Sequence, residues 1–530
     1  MKKVTALILG LVMLFSFAAC SGSSNEEVTA QPGSSSTPGQ NAVSGESVRV
    51  LRVGTTEASN GFLPWTGNMN VLGSYLLFDA VAVRLGDGSL VPQAAESWEW
   101  LDDLTLRIKL RDDVYFNNGK QCLGEDVVYA FWQMATSPEG VQNSYFNSID
   151  FDNTTVSDDG LTVTLKLKNA FAPLNSILDV PLLVDKSEVE NWTNDDERWW
   201  DAPVSSGPYE VVENVAGSHT TYKLRGDYWN AEFTPDWDEI IVNYYTNQTA
   251  MFVAFENNEI DLALNVNQND YARLLSGDVK DAETAGYQLI ATNSALIFCM
   301  SPYKTEFQDA KVREAIANAL NGEEIGLVNY GNMYLPVDSV IGSKTQYYVP
   351  AGTYDGGIEY AKQCMAESAY PDGFTINVVG VNTEKGLWEV IQAQLAELNI
   401  TLNLQTFDFA TCMPLYMQEG SSDLMIMYVL GGNPTFDPFV DTSPLVVNGP
   451  LAPARVLDAD YNEWIASGAT TTDSAKRADY YAKAQQWLYD NFQCIPLLEP
   501  CYAMAYRNNV VGETVLHSAT RVNLALLPAA

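Results

Sequence analysis

The chain has 530 residues and a formal charge of −38, from 67 acidic and 29 basic side chains. That balance argues against a nucleic-acid partner held through phosphates and against docking on an anionic lipid surface. With 46% apolar residues and with 12 Trp and 27 Tyr spread along its length, the chain is built to fold, and it is long enough for two or three domains.

Lys2 and Lys3 open the chain, and Val4 to Ala19 is apolar apart from Thr5, Gly10 and Ser16. A charged start, a short apolar core and small residues before a cut describe an export signal over residues 1–19. The apolar run falls short of the roughly eighteen residues a spanning helix needs. Cys20 stands at its edge. Phe17-Ala18-Ala19-Cys20 resembles a lipobox, with Phe17 where leucine is usual. The resemblance implies cleavage before Cys20 and acylation of its thiol, each buried methylene contributing about 0.8 kcal/mol of membrane affinity. The alternative is an ordinary signal discarded with its cysteine. Residues 21–46 are rich in Ser, Gly and Pro and read as a flexible tether. Without residues 1–19 the chain carries 27 basic and 67 acidic residues, a balance of −40.

Ser47 to Thr56 reads as a first strand. Leu104–Arg111 and Leu161–Lys168 alternate with period two; in the second, Leu161, Val163, Leu165 and Leu167 share one face. Glu125–Ala135 reads as a helix, and Tyr209–Tyr228 as a hairpin turning at Ala216-Gly217-Ser218. Further helices are expected over 249–256, 311–320, 358–367, 387–398 and 474–491. Trp388, Ile391, Leu395 and Leu398 lie on one helical face. Strands are expected over 374–381, 400–406, 423–430, 495–498 and 502–507. No second long apolar run and no internal repeat is present. The mixture points to α/β domains with parallel sheets and a β-rich insertion.

Cysteines other than Cys20 are Cys122, Cys299, Cys364, Cys412, Cys494 and Cys501, with no C-x-x-C pair; the two histidines are His219 and His517. This is poor material for a metal site. Outside the cytoplasm, Cys494 with Cys501 or Cys299 with Cys412 are possible disulfides, and free buried thiols are equally compatible with the sequence.

The stretch Leu90–Tyr129 carries Pro92, Ala95-Glu96-Ser97-Trp98, Leu110-Arg111, Phe116, Asn118-Gly119 and Glu125-Asp126-Val127. In order and spacing it resembles the signature of family 5 extracellular solute-binding proteins, the peptide, nickel and oligopeptide receptors of ABC importers. Ser206-Gly207-Pro208-Tyr209, Ala254–Asp261, Asp309–Ala319, Tyr354–Phe374 and Ile495-Pro496-Leu497 resemble later blocks of that family. The resemblance covers nearly everything from Ser47 to Leu527. It implies an α/β, two-lobed periplasmic-binding-protein-like fold of the class II, cluster C type, with an extra β-rich subdomain on the first lobe. The expected division is lobe I over 47–82, 205–297 and 494–530, the inserted subdomain over 83–204, and lobe II over 298–493. It further implies a monomer that closes its lobes on a solute, a peptide or other small polar molecule, and delivers it to the membrane subunits of an ABC permease, without catalysis or cofactor. The expected location is the extracytoplasmic side of the cell membrane, anchored through Cys20.

Most matched residues read as structural: Trp98 and Phe116 as core, Arg313 as an ion pair on its helix, Gly207-Pro208 as a turn. Cargo is read from segments that border the cleft in the family. After the first strand these are Asn60, Phe62 and Trp65, the aromatic rings either stacking on a ligand or packing the loop. After the central strand they are Met300 and Ser301. In the second lobe they are Asn382, Tyr428, Asn433, Phe436 and Asp437. Peptide-binding members hold the ligand's amino group with an acid just upstream of Asp437-Pro438; here Asn433 or Pro434 stands in its place. The stretch Val381–Lys385 lacks the arginine that holds a dipeptide's carboxylate. Losing both partners argues against a zwitterionic dipeptide. A longer peptide, a sugar-like solute or a metal carried by a chelator, such as a nickel complex, stays open. Enzyme readings are weaker. Acids are abundant without a distinctive glycosidase pair, and neither histidine neighbours a nucleophile elbow.

Overall fold

A computed structural model describes residues 48–57, 62–65, 71–85, 87–137, 143–194, 196–201, 203–427, 433, 435–513 and 522–530. Residues 1–46, Asn60, Tyr428 and His517, on which expectations above rest, lie outside these. The first strand, Val50–Thr55, sits between Glu239–Tyr244 and Leu262–Val266 and runs parallel to both. The hairpin Tyr209–Val215/His219–Leu224 adds to the outer edge, turning as expected at Gly217, whose φ of 71° suits glycine. This is the sheet of a first body.

A second body is built on Phe374–Val381, parallel to Ile400–Phe407, with Leu424–Met427 and Leu296–Met300 alongside. Its inner strands, Leu296–Met300 and Leu424–Met427, are apolar on both faces. Leu296, Phe298 and Met300 pack into one core with Trp388, Ile391 and Leu395 of the helix Lys385–Ala396. Ile297 and Cys299 pack into the opposite core with Tyr461 and Tyr481. Such a run is what a sheet covered on both sides requires.

Between residues 95 and 166 lies a separate antiparallel sheet, ordered Ala95–Asp102, Thr105–Leu110, Thr162–Lys166, Thr155–Val156. Val163 and Leu165 point inward, as their alternation predicts. The helix Gly124–Thr136 covers this sheet. Asp126 starts the helix by accepting the Leu123 N–H at 2.8 Å, and Val127, Phe131 and Met134 face the core. Trp98 is half-buried and Phe116 buried. Among the described residues Arg313 makes no ion pair. It donates to the carbonyls of Asn491, Phe307 and Gln308 at 2.8, 2.9 and 3.2 Å, because the loop ends around it leave carbonyls without intrahelical partners.

One strand, Cys494–Arg507, serves both bodies. Its first half pairs with Leu296–Met300 and its second with Leu262–Val266 and Ala285–Ala291. Cys494–Leu498 therefore sit in the second body's sheet, although the expected lobe I segment starts at 494. The chain passes between bodies a second time at Thr292–Ser294, beside Glu499–Cys501, where the Thr292 N–H donates to the Pro500 carbonyl at 3.1 Å. All six described cysteines are free and buried, and the register sets Cys299 opposite Cys494 rather than Cys412.

Candidate functional site

The three parallel strands of the first body end together, and ligands of open α/β sheets bind in the crevice beyond such carboxyl ends. A cavity of about 790 Å³ opens there. Asn265, Asn267 and Gln268 of the first body line it, with Tyr330 and Met333 of the second and Thr292 and Tyr502 of the crossing segments. A cavity of about 930 Å³ lies within the second body, lined by residues 317–324, 352–355, 357–358 and 495–497 among others. The smaller one is the candidate site, because only there do both bodies and both crossings contribute walls.

Local structure places amide side chains along this space. Asn247 and Asn267 cap the helices Gln248–Glu256 and Gln268–Ser276, accepting from the Ala250 and Asp270 N–H groups at 2.8 and 3.0 Å. Asn265 takes a left-handed φ of 56°, and its carbonyl accepts from the Gln248 amide at 2.7 Å. The Gln268 amide reaches across to donate to the Asn329 carbonyl of the second body. Burial, with the charge of Glu384 and the neighbouring Tyr502, pushes the Tyr330 hydroxyl up to about 12. The Tyr502 hydroxyl is raised by burial and by the charge of Glu57. Glu57, two residues past the first strand, is open to solvent, yet enough protein surrounds it that desolvation raises its carboxyl.

The expected site residues fall in three places. Phe62 and Trp65, expected at the cleft border, belong to the first body's core. Phe62 is fully buried edge-on to Tyr222, and Trp65 stands edge-on to Tyr129 and Trp199. Met300 is fully buried among the second body's helices, because its strand alternates toward that face. Ser301 is buried beside it, its N–H donating to the Asp423 carbonyl at 2.9 Å. Asn382 is exposed on the turn Asn382–Glu384, in the same turn as the Glu384 whose charge reaches Tyr330.

Asn433, Phe436 and Asp437 are buried where the inserted sheet region meets the second body. Asn433 donates to the Asp437 carbonyl at 2.9 Å and to the Asp441 carboxylate at 2.8 Å. Phe436 lies 5.2 Å from the Arg84 guanidinium. Asp437 accepts from Arg477 at 2.9 and 3.2 Å and, across the junction, from the Ser176 hydroxyl at 3.0 Å. Phe439 packs edge-on to Phe171 and Tyr145. Glu57, Gln268, Tyr330 and Tyr502 were not singled out in the sequence. Glu57 had the best signal, as the first carboxylate past a strand end. His219 bridges Ser218 and Glu213 on the exposed hairpin.

Two bodies joined by paired crossings, with a polar cavity at the junction, define a solute-binding protein of the two-lobed periplasmic type. The structure of HbpA2 from Haemophilus parasuis superimposes with a TM-score of 0.79 at 20% identity, covering 91% of this chain and 99% of that one. The model of the bacterial extracellular solute-binding proteins, family 5 (middle), matches residues 89–447, and the chain belongs to that family. The match contains the Leu90–Tyr129 stretch that carried the resemblance. Among similar proteins, the glutathione-binding protein GsiB of Salmonella typhi is 23% identical over 433 residues, 79% of this chain and 82% of its own. Heme-binding protein A of Haemophilus influenzae is 24% identical over 451 residues, 79% and 80% of the two chains.

Proposed function

We propose that this protein is the lipid-anchored solute receptor of an ABC importer, taking a small polar solute into the cavity between its bodies and presenting it to the permease. The observation that carries the site is the cavity lined from both bodies and both crossings. A solute touching Gln268 on one side and Tyr330 on the other favours the closed arrangement by its contacts to both. The first lobe, 47–82 with 205–297 and the chain past the crossing at Glu499–Cys501, turns against the second about the two crossings, and the region 83–204 rides on the first.

Two features of the sequence support the location: the lipobox-like Phe17–Cys20 and the tether over 21–46. Among the described residues no helix is long and apolar enough to cross a membrane. The relatives bind glutathione and heme by their names, so family membership leaves the cargo open between peptide-like solutes and larger chelates. Among the described residues no cluster of three or more metal-ligating side chains occurs, so a metal would enter already chelated.

The test is native mass spectrometry of the mature chain isolated from its host. One solute per chain, released on denaturation and lost in Asn265→Trp, is expected. A solute retained in that variant places the site elsewhere.

A further inference from the structure

The strand Ile400–Phe407 ends the large sheet and pairs with one neighbour only, Phe374–Val381, through eight residue pairs in unbroken register. Ile400, Leu402 and Leu404 pack with Trp388 and Leu395 of the covering helix, while Thr401, Asn403 and Gln405 are exposed on the other face. An edge strand leaves a row of N–H and C=O groups turned outward. Among the described residues nothing outside that pairing bonds the backbone of residues 401–406. Such an edge is a template for another strand unless charge, proline, a bulge or shortness blunts it. The eight residues ITLNLQTF hold no charge, no proline and no bulge. The strand at the other end of the sheet, Tyr209–Val215, is blunted by Glu210, by Glu213 and by a register shift between Val211 and Glu213.

A foreign peptide added to an edge gains its specificity from pockets for alternate side chains. Neither cavity described above is lined by residues 400–407. A second copy of the chain supplies its own match. Antiparallel pairing about a two-fold axis at Asn403 sets Asn403 against its counterpart, Leu402 against Leu404 and Thr401 against Gln405. Polar side chains then meet polar ones on the open face, and leucine meets leucine on the covered face. The strand is neutral in a chain of formal charge −38, so two copies meet there with little repulsion. Asp408, the next acid in the chain, falls beyond the last pair. Charges on and beside the covering helix are paired, Lys385 with Glu389 at 3.6 Å and Glu397 with Lys362 at 2.8 Å.

We propose that this edge is the interface of a weak two-fold dimer of the chain, one sheet continuing into the other through the two Ile400–Phe407 strands. This departs from the monomer that the family resemblance implies. Edge pairing alone buries less than the roughly 800 Å² per partner of a standard interface, so the dissociation constant should lie at about 10–500 µM. Anchorage of the copies to one membrane, as proposed above, raises their local concentration and favours the pair.

The test is sedimentation equilibrium of the mature chain from Ser21 onward, which has no acyl group to associate through, up to about 500 µM. The average mass should climb toward twice the monomer's. Asn403→Lys sets two like charges directly opposite and should weaken association about tenfold or more. Gln405→Lys repeats the test without touching the Asn403 amide, which donates to the Asn377 side chain at 2.9 Å. A second readout fixes the register. Opposite residues of antiparallel strands stand about 4.5–5.5 Å apart at Cα, within reach of a disulfide. Asn403→Cys should therefore cross-link to its counterpart under copper-phenanthroline oxidation in air, while the six described cysteines, all buried, stay out of the reaction. Gln405→Cys should not cross-link, because its counterpart lies about 13 Å further along the strand. A monomer mass that holds to about 500 µM, association unchanged in both lysine variants, or equal cross-linking at the two positions would each overturn the proposal.

Discussion

Arg477→Met tests whether the junction between the inserted region and the second body depends on one buried ion pair. Arg477 and Asp437 are 4% and 0% exposed. Besides its two contacts to the carboxylate, the guanidinium donates from Nε to the Gly468 carbonyl at 2.8 Å and lies 5.1 and 5.6 Å from the rings of Tyr347 and Tyr481. Burial alone would lower the Arg477 pKa, but the Asp437 carboxylate more than offsets it and holds the group charged. Methionine approximates the stem and removes the charge. The carboxylate then keeps only Ser176 and the Phe439 N–H, at 3.0 Å each. Breaking one side of a buried pair costs about 3–5 kcal/mol, which for a cooperative unit of roughly 200 residues is a melting shift of about 6–20 °C. The assay is urea unfolding followed by tryptophan fluorescence, with calorimetry to separate the transitions of the two bodies. Asp437→Asn in the same background should recover most of the loss, since no charge is then left uncompensated. A loss under about 1 kcal/mol in the single variant, or a double variant no better than the single, would refute the reasoning.

The other predictions concern other residues. Burial pushes the Asp441 carboxyl up to about 7, against donors Ser294 and Asn433 that lower it. A carboxyl raised on folding is protonated in the folded chain where the unfolded chain is already ionised. Stability should therefore fall as pH rises from about 4 to about 7 and level off above. Asp441→Asn should flatten part of that slope, gaining about 1–3 kcal/mol relative to wild type between pH 5 and pH 8 in urea titrations; a gap that does not change with pH would contradict this. Gly207→Ala places a methyl 2.5 Å from the Leu77 carbonyl carbon and 2.7 Å from the Leu76 oxygen. Backbone cannot yield there as a side-chain tip can, so thermal unfolding should show a loss of about 1–3 kcal/mol. Iodoacetamide should label none of Cys122, Cys299, Cys364, Cys412, Cys494 and Cys501 in the native chain and all six after denaturation without reductant, read by intact mass. For the anchor, Cys20→Ala should shift the chain from the membrane fraction to the medium, or leave it unprocessed, on immunoblots.

Much of the architecture was legible because it repeats locally. The alternation at Leu161–Leu167, the helical face of Trp388, Ile391 and Leu395, and the Gly217 turn each declare their element within a few residues. The ordered blocks around Trp98 and Phe116 were enough to place the family. Periodicity says that Phe62 and Met300 want burial, but it cannot say against what. The aromatic residues near the cleft segments read as equally fit for a ligand or a core, and the fold took Phe62 and Trp65 into the core. Cys494–Arg507 read as two short strands, since nothing local reveals that one strand crosses between two sheets. Arg477 and Asp437 meet only because the second body folds residues forty positions apart onto one another, and Ser176 joins them from more than two hundred and fifty positions away. The cavity is the space left where segments near 248, 268, 330 and 502 fail to fill the junction. Local free energies specify elements, but a void belongs to the packing of distant ones, so only the tertiary structure could bring Gln268 and Tyr330 to one cavity and leave Asp437 already paired.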